Sequence, residues 1–343
     1  MWFRGSLRKG LVAWHEHLCP GFVGPSSVPR GSGARRQDPA TRTGRTAAPA
    51  CQRTASLVAS FEEGVEGMGR FSQTNRRLWD ELATIHATLD SYGVRRVLSG
   101  ASTLRTIELQ ELGDISGMRV LHVQCHIGVD TVSLARLGAS RVVGVDFSPK
   151  AVAAARQLAA ATGLPVTFEC CDVYDMHSVL DTRFDLVFAS YGVLPWLSDL
   201  RSWAKTIGHL LEPDGVFYLI DNHPICHALV EHHCAQGTVL TFDEHYFPAD
   251  RPQRCPTKGS YADRNATVNT KYNYQWSHTL SDVMNAVIEA GLRVGFVHEF
   301  PVLSYRKFAS MAVDSAGWWH LPKGSPDIPL TFSLRATKPM HVQ

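Results

Sequence analysis

Gly128, Asp146 and Asp172 are the residues whose types and positions could together hold a nucleoside. Gly128 closes the run Leu121-His122-Val123-Gln124-Cys125-His126-Ile127-Gly128, and a helical pattern starts directly behind it. A glycine there lets the backbone approach a ligand where a side chain would obstruct it. Eighteen residues later Asp146 ends the run Val142-Val143-Gly144-Val145-Asp146, followed by Phe147-Ser148. A carboxylate at that point can accept both hydroxyls of a ribose. Asp172, in Glu169-Cys170-Cys171-Asp172-Val173-Tyr174, stands where it can meet an adenine amino group. One acid ending a strand is commonplace, but two in register behind a glycine loop are less so.

The same loop excludes two phosphate chemistries. A dinucleotide fingerprint needs three glycines so that pyrophosphate can rest on the helix N-terminus, and only Gly128 is present. No G-x-x-x-x-G-K-[ST] loop occurs either. A ligand without phosphate fits better, which disfavours a nicotinamide-dependent oxidoreductase.

These residues need strands that end side by side, and the chain supplies the pattern. From Met118 onward, strand and helix alternate, the signature of a parallel sheet with crossover helices. Strands are expected at Arg119–Gln124, Arg141–Asp146, Val166–Cys171, Phe184–Ser190, Val216–Asp221, Leu292–Glu299 and Ile328–Ala336. Helices are expected at 129–137, 149–162, 175–181, 199–211 and 280–290. Gly215 supplies the turn into the fifth strand and Gly291 a left-handed cap. Upstream, Trp79, Leu82, Ile85 and Leu89 form one helical stripe over 75–89. The prediction is an α/β, Rossmann-like, doubly wound sheet of seven strands, with ligands beyond the carboxyl ends of the strands. Two stretches break the alternation, 223–277 and 300–327, and are expected to be insertions that cover the substrate.

Bulk properties narrow the partners. Nine of the 34 basic residues and two of the 32 acidic ones lie in residues 1–60, leaving 25 basic against 30 acidic in 61–343. That mildly acidic remainder argues against a nucleic-acid partner. No apolar run approaches the roughly 18 residues of a membrane span, so no membrane is expected. The eight cysteines form no C-x-x-C pair and read as reduced thiols of a cytoplasmic protein. Residues 1–67 are rich in Arg, Ala, Ser, Gly and Pro and are expected to be disordered. They read either as an organelle transit peptide or as sequence ahead of a functional start at Met68; the Pro and Gly residues that interrupt any amphipathic helix favour the second. Residues 68–343 form the expected catalytic domain.

The stretch from about Asn75 to Ala336 resembles the class I S-adenosylmethionine-dependent methyltransferases. It looks most like a bacterial-type small-molecule subgroup with an L-H-x-Q-C-H-x-G loop, here Leu121 to Gly128. Asp130-Thr131, Val145-Asp146-Phe147-Ser148, Trp196-Leu197 and His223-Pro224 continue the match. The resemblance implies S-adenosyl-L-methionine as cofactor. Gln124, His126 and Gly128 would lie against it, Asp146 and Phe147 at its ribose, Asp172 and Val173 at its adenine. Ser190 and Tyr191 would stand where its methionine end meets the acceptor. Two positions depart from the wider family: His122 replaces a loop acid and His126 the middle glycine. That departure keeps open a protein that retains the fold but acts as a binding or scaffolding partner.

Methyl transfer to a hydroxyl or ammonium needs a base, and histidine is the usual choice. His223, in Asp221-Asn222-His223-Pro224, and His278, just before Thr279-Leu280, are the candidates. Hydrogen bonding to the loop is the plainer reading of His223, and capping of a helix that of His278. His223, His227, His232, His233 and Cys234 also invite a metal, but Pro224 interrupts the His223–His227 pair and no H-E-x-x-H occurs. No metal is expected. The N/D-P-P-Y/F/W motif of amide and exocyclic nitrogen methylation is absent; its slot reads Ser190-Tyr191-Gly192-Val193. Aromatic residues such as Tyr246, Tyr261, Trp276, Tyr305 and Trp319 in the two covers suit a small-molecule substrate. The acceptor atom and the oligomeric state stay open.

Overall fold

The computed structural model describes residues 69–234 and 237–340, so the expectations for 1–67 lie outside the described residues. Helix α1 covers 69–86. A 3-10 turn at Asp90–Tyr92, α2 (Val94–Leu98) and α3 (Thr106–Leu112) lead into the alternating region. It runs β1 (Arg119–Val123), α4 (Val129–Arg136), β2 (Arg141–Asp146), α5 (Pro149–Thr162), β3 (Val166–Cys170), α6 (Met176–Val179), β4 (Phe184–Ser190), α7 (Leu200–Leu210) and β5 (Leu211–Asn222). After α8 (Pro224–Ala228) come the hairpins β6–β7 (Leu229–Cys234, Gly237–Phe242) and β8–β9 (Gln253–Pro256, Tyr272–Gln275). The chain closes with α9 (Leu280–Glu289), β10 (Arg293–Phe300), the small pair β11–β12 (Ala312–Val313, Trp319–His320) and β13 (Thr331–Thr337).

Seven strands form one sheet in the order β10-β13-β5-β4-β1-β2-β3. β3, β2, β1, β4 and β5 are parallel neighbours, whereas β13 runs antiparallel between β5 and β10. This is the doubly wound sheet that the sequence predicts, with the order reversing between β1 and β4.

Alternation along each strand feeds two cores. In β5, Phe217 and Leu219 join Trp203 of α7 and Val283 and Val287 of α9 on one face. Tyr218 and Ile220 join Phe188, Phe168, Leu134 of α4 and Val152 of α5 on the other. Each fully buried large side chain contributes roughly 1.5–3 kcal/mol. Helix starts are set locally. Ser148 caps α5 by accepting the Ala151 N–H, with Pro149 at the first helical position, and Thr279 and Asp282 form a capping box on α9.

Three details differ from expectation. The first helix starts earlier and ends at 86, so Leu89 falls beyond it, while Trp79, Leu82 and Ile85 share a cluster with Val268 and Trp196. β5 begins at Leu211 because Leu211 pairs with Phe184 ahead of an irregularity; there Asp214, not Gly215, takes the positive φ of 62°. The 223–277 and 300–327 stretches hold a helix and three short strand pairs, whose runs are too brief to signal strands.

Candidate functional site

A cavity of about 1470 Å³ opens at the carboxyl ends of β1, β2, β3 and β4. Gln124, His126, Asp146, Phe147, Asp172, Val173 and Ser190 all line it, as do Tyr92, Ser260, Tyr261 and Tyr305. The strand ends bring the first group together; α1 and the two covers supply the rest.

Asp146 is the anchor of the strand-end wall. Its Oδ2 accepts the His126 N–H at 2.8 Å and its Oδ1 the Ser148 N–H at 2.9 Å. Burial pushes its carboxyl up to about 6, with nearby Asp80 adding to the rise and the two N–H donors opposing it. Each oxygen keeps a lone pair for a further donor. Asp172 is half-buried, accepts the Tyr174 N–H at 3.2 Å, and is likewise raised by burial. Val173 is buried beside it.

The loop after β1 is built from left-handed turns. Gln124, His126 and Gly128 have φ of 55°, 50° and 76°, which costs the two non-glycine residues steric strain. Gln124 donates from Nε2 to the Val193 carbonyl at 3.1 Å, while its Oε1 is buried without a partner among the described residues. His126 Nδ1 is buried and unpartnered in the same way. Gly128 lies behind this wall and is not among the cavity residues. Its requirement comes from packing: a Cβ there would sit 2.6 Å from the Phe168 ring and 2.9 Å from Ala155 Cβ. The expected ligand approach at Gly128 is therefore replaced by an approach of Phe168, which wedges against Gly144 as well.

Two polar chains, not foreseen from the sequence, brace the wall. His126 Nε2 meets His86 Nδ1 at 2.8 Å, and His86 Nε2 meets Ser260 Oγ at 2.7 Å. Burial holds His86 down to about 4 and His126 well below its ordinary value. Trp79, Leu82 and His86 recur at helical spacing, so a polar residue in an apolar stripe was the available signal. The second chain joins Thr103 Oγ1 to Asp130 Oδ1 at 2.5 Å and Ser190 Oγ to Asp130 Oδ2 at 3.4 Å. His122, held down to about 3 by burial, bonds Thr131 and faces Ser190.

The β4 end is shaped by Asp221. Its buried carboxylate accepts N–H groups from Gly192, Val193, Leu194 and Asn222. That clamp holds Tyr191 at φ 48°, with its buried hydroxyl facing the Glu108 carboxyl.

His223 is placed otherwise than expected. It lines neither this cavity nor its smaller neighbour. Its Nδ1 caps α8 by accepting the Ile225 N–H at 3.1 Å, and its Nε2 stands 2.9 Å from Glu299 Oε1. Pro224 sets the backbone that turns the ring this way, so the loop-bonded reading holds for the side chain. His278 donates from Nε2 to the Leu197 carbonyl at 2.8 Å and lines the adjoining cavity of about 190 Å³. His227, which the sequence offered only as a metal ligand, lines both cavities. Among the described residues no three His, Cys, Asp or Glu side chains are grouped to hold a metal, and no helix is long and apolar enough to cross a membrane.

Parts of the chain are similar to known proteins. A family described as a methyltransferase domain matches residues 120–215, from β1 into β5. The chain is similar to a ubiquinone biosynthesis O-methyltransferase of Neisseria meningitidis serogroup C, 27% identical over 160 residues, 46% of this chain and 63% of that protein. It is similar to one of Bradyrhizobium diazoefficiens, 28% identical over 152 residues, 43% of this chain and 58% of that protein. The chain thus spans less than two thirds of the length of these curated relatives. A solved S-adenosylmethionine-dependent methyltransferase from Mesorhizobium loti is similar at TM-score 0.47 and 23% identity, over 70% of this chain and 99% of that one. With its seven strands in this order and the methyltransferase-domain match at its centre, the chain has the Rossmann-like class I methyltransferase fold.

Proposed function

We propose that this protein transfers the methyl group of S-adenosylmethionine to a small-molecule nucleophile. The observation that carries the reading is the convergence of Gln124, His126, Asp146, Phe147, Asp172 and Val173 on one cavity wall at the ends of β1, β2 and β3. The residues suit the cofactor chemically. Asp146 offers carboxylate lone pairs to ribose hydroxyls, and Asp172 with Val173 offers an acceptor and an apolar face to adenine. Gln124 Oε1 and His126 Nδ1, buried and unpartnered, offer polar atoms to the amino-acid end. Gly128 supports the loop from behind.

When bound, S-adenosylmethionine supplies an electrophilic methyl group on a sulfonium. The protein's part is to hold an acceptor against it, and orientation of this kind is worth on the order of 7–11 kcal/mol. Ser190, Tyr191 and His227 line the acceptor side. Burial keeps the His227 ring neutral, with its value lowered to about 3, so it can accept a hydrogen bond from an acceptor hydroxyl and orient it. His227 takes the place proposed from sequence for His223, and His278 remains a lining candidate. The relatives are named as O-methyltransferases, and oxygen is the acceptor atom we favour. Residues 69–340 would act as one catalytic domain, with 223–277 and 300–327 as its cover.

The test is calorimetric titration of the full chain with S-adenosylhomocysteine, beside Asp146→Ala. Loss of a charge-assisted ribose contact should cost about 1.5–3 kcal/mol, roughly ten- to a hundredfold in affinity. A folded protein that binds no S-adenosylhomocysteine sinks the reading. Binding without turnover across a broad panel of nucleophiles would leave a binding protein on the same fold.

A further inference from the structure

The cavity is lined by the acids Asp90, Asp130, Asp146 and Asp172 and by the cations Arg96, Arg105, Lys258, Arg306 and Lys307, the last three from the cover. The two arginines nearest the cover are engaged. Arg105 gives its guanidinium to the carbonyls of Gly317 and Ser304 and lies over Trp318. Arg306 donates to the Ala309 carbonyl and lies over Trp319. Lys307 lies over the Phe308 ring at 5.4 Å. It differs in position, lining both the large cavity and the 190 Å³ one, at their junction. Of its three ammonium donors, one reaches the Cys226 carbonyl at 2.5 Å, and no described carboxylate forms an ion pair with it.

Lys307 is half-buried, and a cation partly withdrawn from water without a counter-ion is costly, a cost that an anionic ligand group would offset. Burial lowers the Lys307 pKa, while Glu244, on the wall of the small cavity, pulls it up. Glu244 is itself solvent-exposed and bonded to Gln253, so it is a screened partner at best. Neutral His227 beside Lys307 adds polarity without charge. Trp276 and Trp319 line the same space and offer flat apolar faces.

We propose that the acceptor is a small aromatic acid whose carboxylate is held by Lys307 at the junction of the two cavities. Its methylatable group would then extend toward Ser190 and Tyr191 in the large one. The proposal rests on the methyltransferase reading and narrows its substrate class.

It is tested on the full chain saturated with S-adenosylhomocysteine, by titrating 3,4-dihydroxybenzoate and, separately, its methyl ester. The acid should bind at least about tenfold more tightly than the ester. Lys307→Met should abolish that preference while leaving S-adenosylhomocysteine affinity unchanged, which also reports that the variant is folded. Lys307→Arg should keep part of the preference. Equal binding of acid and ester, no binding of the acid, or a preference that survives Lys307→Met would each overturn the proposal. Failure of S-adenosylhomocysteine itself to bind is a different result: it removes the methyltransferase reading, and the acceptor proposal falls with it.

Discussion

The imidazoles of His86 and His126 meet ring nitrogen to ring nitrogen at 2.8 Å, tying the first helix to the loop that follows β1. Only one of the two nitrogens carries the shared proton, so the contact tolerates at most one protonated ring, and burial holds both rings in the neutral form. Ser260 extends the chain into the cover, and Tyr92 stacks on His86 with ring centroids 4.3 Å apart. One polar chain therefore couples three separate segments around the cavity mouth.

That coupling makes stability depend on pH. His86 titrates near 6.5 unfolded and about 4 folded, the drop caused by burial. The folded state thus resists protonation that the unfolded chain accepts. The contribution is complete above pH 6.5 and is lost as pH falls toward 4, on the order of 3 kcal/mol for this group. Asp146, raised to about 6, works the opposite way between 6 and 3.8. The comparison is therefore with His86→Phe: denaturation at pH 7.5, 5.5 and 4.5 should show a flatter pH slope for the variant. Equal slopes would refute the assignment.

Through the proposed ribose contact, Asp146 gives a second pH effect, on ligand rather than fold. Ribose hydroxyls donate best to a carboxylate, and the folded protein protonates this one near pH 6. S-adenosylhomocysteine affinity should weaken below pH 6 by up to about tenfold per pH unit. Asp146→Asn should bind more weakly at neutral pH and lose most of that dependence. A wild-type affinity flat from pH 7.5 to 5 would argue that Asp146 does not meet the ligand.

How much of this was legible in the sequence depended on range. Asp146 and Asp172 could be placed because the strand-helix alternation fixes where strands end, and strand ends of a doubly wound sheet converge. Ser260 and His86 are 174 residues apart, and no local pattern links them. The short hairpins of 223–277 escaped because their strands are only four to six residues long. His223 was legible as a loop residue at the right strand, yet the direction of its side chain is decided by capping of α8. Gly128 was legible as an obligatory glycine, while the reason for it, the Phe168 ring, lies on a strand two crossovers away.

Gly128→Ala tests that reason. The substitution places a side chain at φ 76° and drives Cβ to 2.6 Å from Phe168. Backbone strain and overpacking together should cost about 2–4 kcal/mol in chemical denaturation. Adding Phe168→Leu should recover part of the loss, because the shape of the neighbour changes while φ does not. No recovery would place the whole cost in the backbone.

His223 separates capping from catalysis. Its Nδ1 accepts the Ile225 N–H at the start of α8, and Glu299, half exposed, faces its Nε2. His223→Ala should lose about 1 kcal/mol of stability through the cap, and His223→Asn should restore most of it, since asparagine caps well. The Glu299 contact adds little at an exposed carboxylate. Turnover of His223→Asn on any accepted substrate should stay within about twofold of wild type. His227→Phe, which removes a lining ring nitrogen, should lower turnover by about tenfold or more with stability nearly unchanged. The reverse pattern, a large loss of turnover in a stable His223→Asn protein, would return His223 to the chemistry and mean that the α8 start rearranges when the acceptor binds.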